Sequence, residues 1–308
     1  MEVKKIDLID CHNRIKPFIH NTPVLTSSYI NEITGAEVYF KCENFQKMGA
    51  FKMRGAANAI LRLSDEQKSN GVVTHSSGNH AQAISLAAKK IGIKAYIIMP
   101  SNAPRIKKEA VNGYGGELIE CESNLEAREA AARDIVDSKS ATFIHPSNNM
   151  DVILGQGTAS KELIEQYGSF DHILVPIGGG GLIAGSALAA KYFGDNCSVI
   201  GTEPFEVDDA YRSLISGKIE TNITTNTIAD GLRTQLGDKN FPIILNEVKK
   251  IIRITEDEII DSMKLIWQRL KIICEPSCSL PLAGILKNKD EFKGKKIGVV
   301  ITLSLIHI

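Results

Sequence analysis

The chain has 308 residues, of which 36 are basic, 36 acidic and 43% hydrophobic. That length exceeds what one simple core usually holds, and the balanced charge gives no general field to attract nucleic acid or an anionic membrane, so a small-molecule partner is expected. The six cysteines are scattered without a disulfide or zinc pattern, and the polar N-terminus has no charged segment followed by an apolar stretch, which points to a cytoplasmic protein.

In chain order, short apolar runs at 72–74, 96–99, 118–119 and 143–144 are separated by helical stretches near 80–90, 103–112 and 124–138. This alternation predicts a parallel sheet covered by helices, with ligands near the carboxyl ends of its strands. A second α/β pattern follows from about residue 150: a helix over 155–167, a strand over 173–177, another helix, then strands at 199–200 and 297–302. The uncharged stretch 173–190 is long enough for a minimal membrane span. Pro176 and the glycines in its middle divide it instead into a strand, a glycine turn and a helix. Two α/β domains are expected, with the active site in the cleft between them.

Three segments carry candidate chemistry. Lys52 lies among Gly49, Ala50, Phe51, Gly55, Ala56 and Ala57, and close packing of small residues predicts a desolvated amine able to bond an aldehyde. Gly178, Gly179, Gly180 and Gly181 sit between a strand and a helix, where backbone N–H groups hold phosphate. An amine for an aldehyde and a loop for a phosphate together suggest pyridoxal phosphate. The third segment, Ser76-Ser77-Gly78-Asn79-His80-Ala81-Gln82, opens a helix after the strand at 72–74. Such residues serve as ordinary caps or as a carboxylate-binding N-terminus.

These segments, with Thr22 to Ser28, Lys41 to Lys47, Gly155 to Thr158, Ile228-Ala-Asp-Gly231 and Glu275-Pro-Ser277, resemble the serine racemase and threonine/serine dehydratase family of fold-type II pyridoxal phosphate enzymes. The likeness runs from about residue 20 to 300. It implies two domains, each with a mostly parallel twisted sheet flanked by helices: a small substrate-side domain over 68–147, and a larger cofactor-binding domain made of 1–67 and 148–308. Lys52 would form the internal aldimine and act as base on one face of the substrate carbon, with Ser77 on the other. Phe51, Asn79, Gly178 to Gly181, Gly231, Glu275 and Thr302 would surround the cofactor. Ser76, Ser77, Asn79, His80 and Arg128 would surround the substrate carboxylate. The implied activity is serine racemisation with serine or threonine dehydration, the alternative being a threonine dehydratase or threo-3-hydroxyaspartate ammonia-lyase without racemisation. A homodimer is implied as well.

Glu203-Pro-Phe-Glu-Val207-Asp208-Asp209 reads either as an acidic loop or as a divalent cation site built on the Glu203 and Asp209 carboxylates and the Val207 carbonyl, suited to Mg²⁺, Ca²⁺ or Mn²⁺. The resemblance favours the metal. Met48 departs from the polar residue expected beside a nucleotide site in some relatives, so no nucleotide is expected. After Thr302 the family would continue with glycines, whereas this chain reads Leu303-Ser304-Leu305-Ile306-His307-Ile308. Those six residues are expected to be an artefact of a truncated gene.

Overall fold

The structure, a computed structural model, describes residues 3–76 and 78–304. Among them, ten strands form two sheets. The strands are β1 (Val24–Leu25), β2 (Glu37–Cys42), β3 (Val72–His75), β4 (Ala95–Pro100), β5 (Glu117–Cys121), β6 (Thr142–Phe143), β7 (His172–Pro176), β8 (Ser198–Pro204), β9 (Val248–Ile254) and β10 (Lys296–Ile301). The smaller sheet has the order β5-β4-β3-β6 and is parallel throughout. The larger has the order β1-β2-β10-β7-β8-β9, with only the short β1 antiparallel. Helices cover both, giving an α/β fold with two parallel-sheet domains.

The strands are apolar because both faces are covered. In β7 every residue from His172 to Pro176 is buried, and in β4 Ile97 and Met99 join one apolar cluster while Tyr96 and Ile98 join another. The C-terminal strand β10 inserts between β2 and β7, with Ile301 opposite Cys42. This insertion brings the chain after β10 against the Lys52 segment, where Phe51 N donates to Thr302 O at 3.0 Å.

Lys52 is the first residue of helix Lys52–Leu61, which is buried from Met53 to Ile60. Glycines let its backbone lie close to helix Met150–Tyr167. A Cβ on Gly155 would stand 2.5 Å from Gly55 Cα, and one on Gly157 would stand 2.5 Å from Gly185 O in helix Gly181–Phe193. Any side chain there would force the helices apart.

A buried ionic network fixes the same helix. Arg54, fully buried, donates from Nε to Glu43 Oε2 at 2.7 Å and from Nη2 to Glu43 Oε1 at 2.8 Å. It also donates to Glu162 through Nη1 and Nη2, both at 2.8 Å, and to Thr158 Oγ1 at 3.1 Å. Lys41 Nζ lies 2.8 Å from Glu162 Oε2, and His12 Nε2 lies 3.0 Å from Glu162 Oε1. Burial opposes the Glu162 charge, but hydrogen bonds from His12 and Arg54 and the nearby cations hold this carboxyl well below its ordinary range.

Among the described residues no helix is long and apolar enough to cross a membrane. Leu303 and Ser304 pack against the Lys52 segment: Leu303 is 4% exposed and bridges Ala50, and Ser304 N donates to Gly49 O at 2.9 Å. Two of the six residues expected to be an artefact of a truncated gene thus continue the chain leaving β10 as a short antiparallel contact. Residues 305–308 of that expectation lie outside the described residues.

Candidate active site

Two adjoining cavities share Lys52, Asn79, Ser147, Gly231 and Thr234. The first is lined by Phe51, the four consecutive glycines, Thr302 and Leu303. The second, about 500 Å³, is lined by Ser76, His80, Arg128, His145, Asp230 and Glu275 among others. Every described residue assigned above to cofactor or substrate is therefore gathered around one space. Ser77, the expected second base, lies outside the described residues.

Lys52 Nζ donates to Pro146 O at 2.9 Å and stands 5.1 Å from the centre of the Phe51 ring. Burial lowers its pKa from 10.5 to about 8, since the ammonium loses water and has no carboxylate in exchange. A substantial neutral fraction near pH 8 makes it a competent nucleophile and base.

The glycine segment follows β7, and Gly180 (φ +80°) caps helix Gly181–Phe193 without a side-chain hydrogen bond. A Cβ on Gly179 would lie 2.4 Å from Ser147 Oγ, and one on Gly180 would lie 2.7 Å from Asn240 Oδ1. Only glycine keeps this cradle open, and uncapped N–H groups at its helix end suit a phosphate.

Helix Asn79–Ile91 starts at Gly78, likewise with no side-chain cap. Around that start, the buried atoms Asn79 Oδ1 and His80 Nδ1 have no hydrogen-bond partner among the described residues. His80 Nε2 is 3.3 Å from Ile144 O, and burial, with the Lys52 charge, drives its pKa well below 6.5, so the ring is neutral. His145 Nδ1 accepts from Ser147 N and Asn148 N at 3.2 and 2.8 Å, which places its proton on Nε2. Burial and then His75 hold His145 down to about 4. Glu275 Oε1 is also buried without a partner, and burial, with Asp230 adding to it, pushes this carboxyl up to about 8. Unpaired buried polar atoms are costly unless a ligand completes them. An amine, a glycine cradle and these orphaned atoms around one space fit a phosphorylated aldehyde carrying an amino acid.

Thr302 Oγ1 lies 3.1 Å from Cys278 Sγ, and Leu303 N donates to the same sulfur at 3.2 Å. Arg128 is half-buried, with Nε donating to Asn124 O at 3.2 Å. Sequence reasoning missed Lys107, His75, His145, Ser147, Arg233 and Thr234 in the lining. Residues 145–147 follow the carboxyl end of β6, the signal that could have found them.

The acidic segment lies apart from these cavities, at the start of helix Asp209–Ser216. Glu203 accepts from Ala210 N at 3.0 Å and from Tyr211 N at 2.9 Å; Asp209 Oδ2 accepts from Leu236 N at 3.2 Å, while its Oδ1 is buried without a partner. Burial and the Asp209 charge push Glu203 well above 4.5. Val207 is buried in the same turn. No group of three or more His, Cys, Asp or Glu side chains suited to a metal occurs among the described residues, so any cation here would draw on backbone carbonyl oxygen and water as well.

The signature of the family described as "Pyridoxal-phosphate dependent enzyme" matches residues 15–302. The chain is 50% identical over 300 residues to the serine racemase of Dictyostelium discoideum, covering 96% of this chain and 93% of that protein. It is 47% identical over 296 residues to the beta-hydroxyaspartate dehydratase of Paracoccus denitrificans, covering 96% and 94%. The crystal structure of the Dictyostelium discoideum serine racemase superposes with a TM-score of 0.95 at 49% identity, covering 99% of both chains. An amine beside a phosphate cradle and a signature spanning nearly the whole chain lead to one conclusion: this chain belongs to the pyridoxal-phosphate dependent enzymes.

Proposed function

We propose that the chain is a serine racemase that also dehydrates serine and threonine, releasing ammonia. The observation that carries this reading is the meeting of a desolvated Lys52 and the uncapped start of helix Asn79–Ile91 in one cavity. The cofactor, when bound, supplies an electron sink for negative charge at the substrate Cα. Gly178 to Gly181 hold its phosphate, Phe51 packs beside its ring, and Asn79, Gly231, Glu275 and Thr302 complete its surroundings. Ser76, Asn79 and His80, joined by Arg128, orient the substrate carboxylate, and Lys52 takes the proton from Cα on one face.

The product depends on what happens next. If Ser77 returns a proton from the opposite face, the configuration inverts. If the β-hydroxyl leaves with a proton as water, subsequent hydration releases a 2-oxo acid and ammonia, and the overall elements balance as substrate to oxo acid plus ammonia. The relatives named for serine and for β-hydroxyaspartate support both outcomes, and elimination without racemisation is the second reading.

The proposal extends to a divalent cation, Mg²⁺ first among candidates, at Glu203, the Val207 carbonyl and Asp209, supported by the unpartnered Asp209 Oδ1. A homodimer is supported by Phe45 and Ile273, which are 46% and 56% exposed and adjacent through Asn44 Nδ2 donating to Ile273 O. Unpaired cysteines support a reducing, cytoplasmic setting. The proposed domain division at 68–147 is supported by the smaller sheet, whose strands lie between Val72 and Phe143.

The test is to incubate purified protein, pyridoxal phosphate and Mg²⁺ with L-serine, L-threonine or L-threo-3-hydroxyaspartate, following oxo acid and D-serine together. D-serine that disappears in Ser77→Ala while oxo acid release persists is the expected result. Oxo acid without any D-serine in the parent protein would establish the second reading.

A further inference from the structure

Elimination of a β-hydroxyl moves two protons: one leaves Cα, and one must reach the departing oxygen, because free hydroxide is a poor leaving group. Lys52 takes the first. Among the described residues lining the larger cavity, few can supply the second. Burial lowers His75, His80 and His145 below the 6.5 of an ordinary imidazole, so none carries an acidic proton near neutrality. The guanidiniums of Arg128 and Arg233 do not give one up. Lys107 Nζ faces Asp230 Oδ2 at 3.4 Å, and the Asp230 side chain is 33% exposed.

Glu275 differs from all of these. It is 2% exposed, and its Oε1 has no hydrogen-bond partner among the described residues. That oxygen lies 3.2 Å from where a Cβ on Gly231 would stand, and Gly231 lines both cavities, so the carboxyl sits at their junction. Burial, with the Asp230 charge adding to it, pushes this carboxyl up to about 8, against the opposing effects of a hydrogen bond with Ser277 and the Lys107 charge. Cys274 and Cys278, on its own turn, are themselves raised by burial and stay thiols. A carboxyl kept from water in this way holds its proton at neutral pH and can donate it.

We propose that Glu275 is the general acid of the elimination, giving its proton to the substrate β-hydroxyl as the Cβ–O bond breaks. The electron pair of the Cα–H bond becomes the second bond between Cα and Cβ. The pair of the breaking Cβ–O bond stays on oxygen and takes the Glu275 proton, and water departs. Lys52 has then gained the proton that Glu275 has lost, and exchange with solvent restores both. Racemisation breaks no Cβ–O bond and makes no use of this proton, so Glu275 serves one outcome of the two. This inference rests on the dehydration reading above.

The experiment sets a leaving group that needs a proton against one that does not. Oxo acid release by the pyridoxal-phosphate-loaded protein is followed from L-serine and from L-serine O-sulfate, whose sulfate departs as an anion. Glu275→Gln should lower release from L-serine by roughly 10²-fold and from the O-sulfate by less than about fivefold, and the ratio of oxo acid to D-serine formed from L-serine should fall. In the unaltered protein the ratio of L-serine to O-sulfate rates should fall as pH rises through about 8, where the acid loses its proton. Independently of turnover, the infrared difference between parent and Glu275→Gln should contain a protonated carboxyl band at neutral pH that fades over the same range. Equal losses on the two substrates, a rate ratio that stays flat with pH, or absence of the band overturns the assignment. Elimination from neither substrate by the loaded parent would instead overturn the functional reading beneath it.

Discussion

Two charged regions flank Lys52, and they are built on opposite rules. Beneath it, Arg54, Glu43, Glu162 and Lys41 are removed from solvent, and the Arg54 fork is matched on both sides by carboxylates. In front of it, among the described residues, Asn79 Oδ1, His80 Nδ1 and Glu275 Oε1 are buried without partners, and Arg128 and Arg233 hydrogen-bond only main-chain carbonyls. A closed network specifies one arrangement of its elements, whereas an open one stores binding capacity that a ligand completes. The contrast identifies the function side of Lys52 independently of any relative.

The sharpest break in this contrast is at Lys52 itself. Lys52→Ala should lower activity by roughly 10³-fold or more, because it removes the proposed nucleophile and base, measured as ammonia release from a 3-hydroxy amino acid. The same lysine predicts a pH dependence. Its folded pKa is lowered from 10.5 to about 8, and only the neutral amine attacks an aldehyde. The rate at which apo-protein captures pyridoxal phosphate should therefore rise as pH increases through about 8 and level off above it. A rise that continues toward pH 10 would show an amine still solvated.

The division between the two regions was only half legible in the sequence. The open side announces itself: glycine runs and Ser-Ser-Gly-Asn-His stand at strand-to-helix junctions, where phosphate and carboxylate sites form. The closed side does not, since Lys41, Glu43 and Arg54 read as surface charges until the fold buries them together. For the same reason β2, with Glu37 and Lys41, and β9, with Lys249, Lys250 and Arg253, escaped an apolar pattern search. Lys107 and Arg233 escaped because their meeting depends on two segments more than 100 residues apart closing over one cavity. The alternating β3 to β6 region was readable because its central parallel strands β3 and β4 are buried and therefore apolar.

The next test substitutes an arginine from each region. Arg54→Met leaves Glu43 and Glu162 buried with an unmatched charge, which costs about 3–5 kcal/mol and should lower the melting midpoint by roughly 6–10 °C. Arg128→Met removes a cation that no carboxylate balances, so thermal stability should stay within about 0.5 kcal/mol of the parent. Equal losses in calorimetry would mean that the two regions are not built differently. Mg²⁺ offers a control elsewhere: at about 100 times its dissociation constant it should add roughly 2.7 kcal/mol if the Glu203 and Asp209 site binds it, and Asp209→Asn should remove that gain.

A smaller effect than the loss of Arg54 is expected at the cradle, where geometry rather than charge sets the outcome. Gly180 has φ +80°, and an added Cβ would meet Asn240 Oδ1 at 2.7 Å and Leu236 Cδ2 at 2.7 Å. Asn240 is itself held, its Nδ2 donating to Gly179 O at 2.8 Å and to Ser147 O at 3.3 Å, so it has little room to retreat. Gly180→Ala should therefore strain the loop by about 1–2 kcal/mol, and part of that strain should appear as weaker phosphate binding. Titration of the apo-variant with pyridoxal phosphate, followed by absorbance, should give a dissociation constant raised roughly tenfold, equivalent to about 1.4 kcal/mol. Gly217, with φ +73° but nothing within 4 Å of an added Cβ, separates the two causes. Gly217→Ala pays the backbone strain in stability yet should leave cofactor affinity unchanged, so equal affinities for the two variants would show that the cradle at Gly180 does not bear on the phosphate.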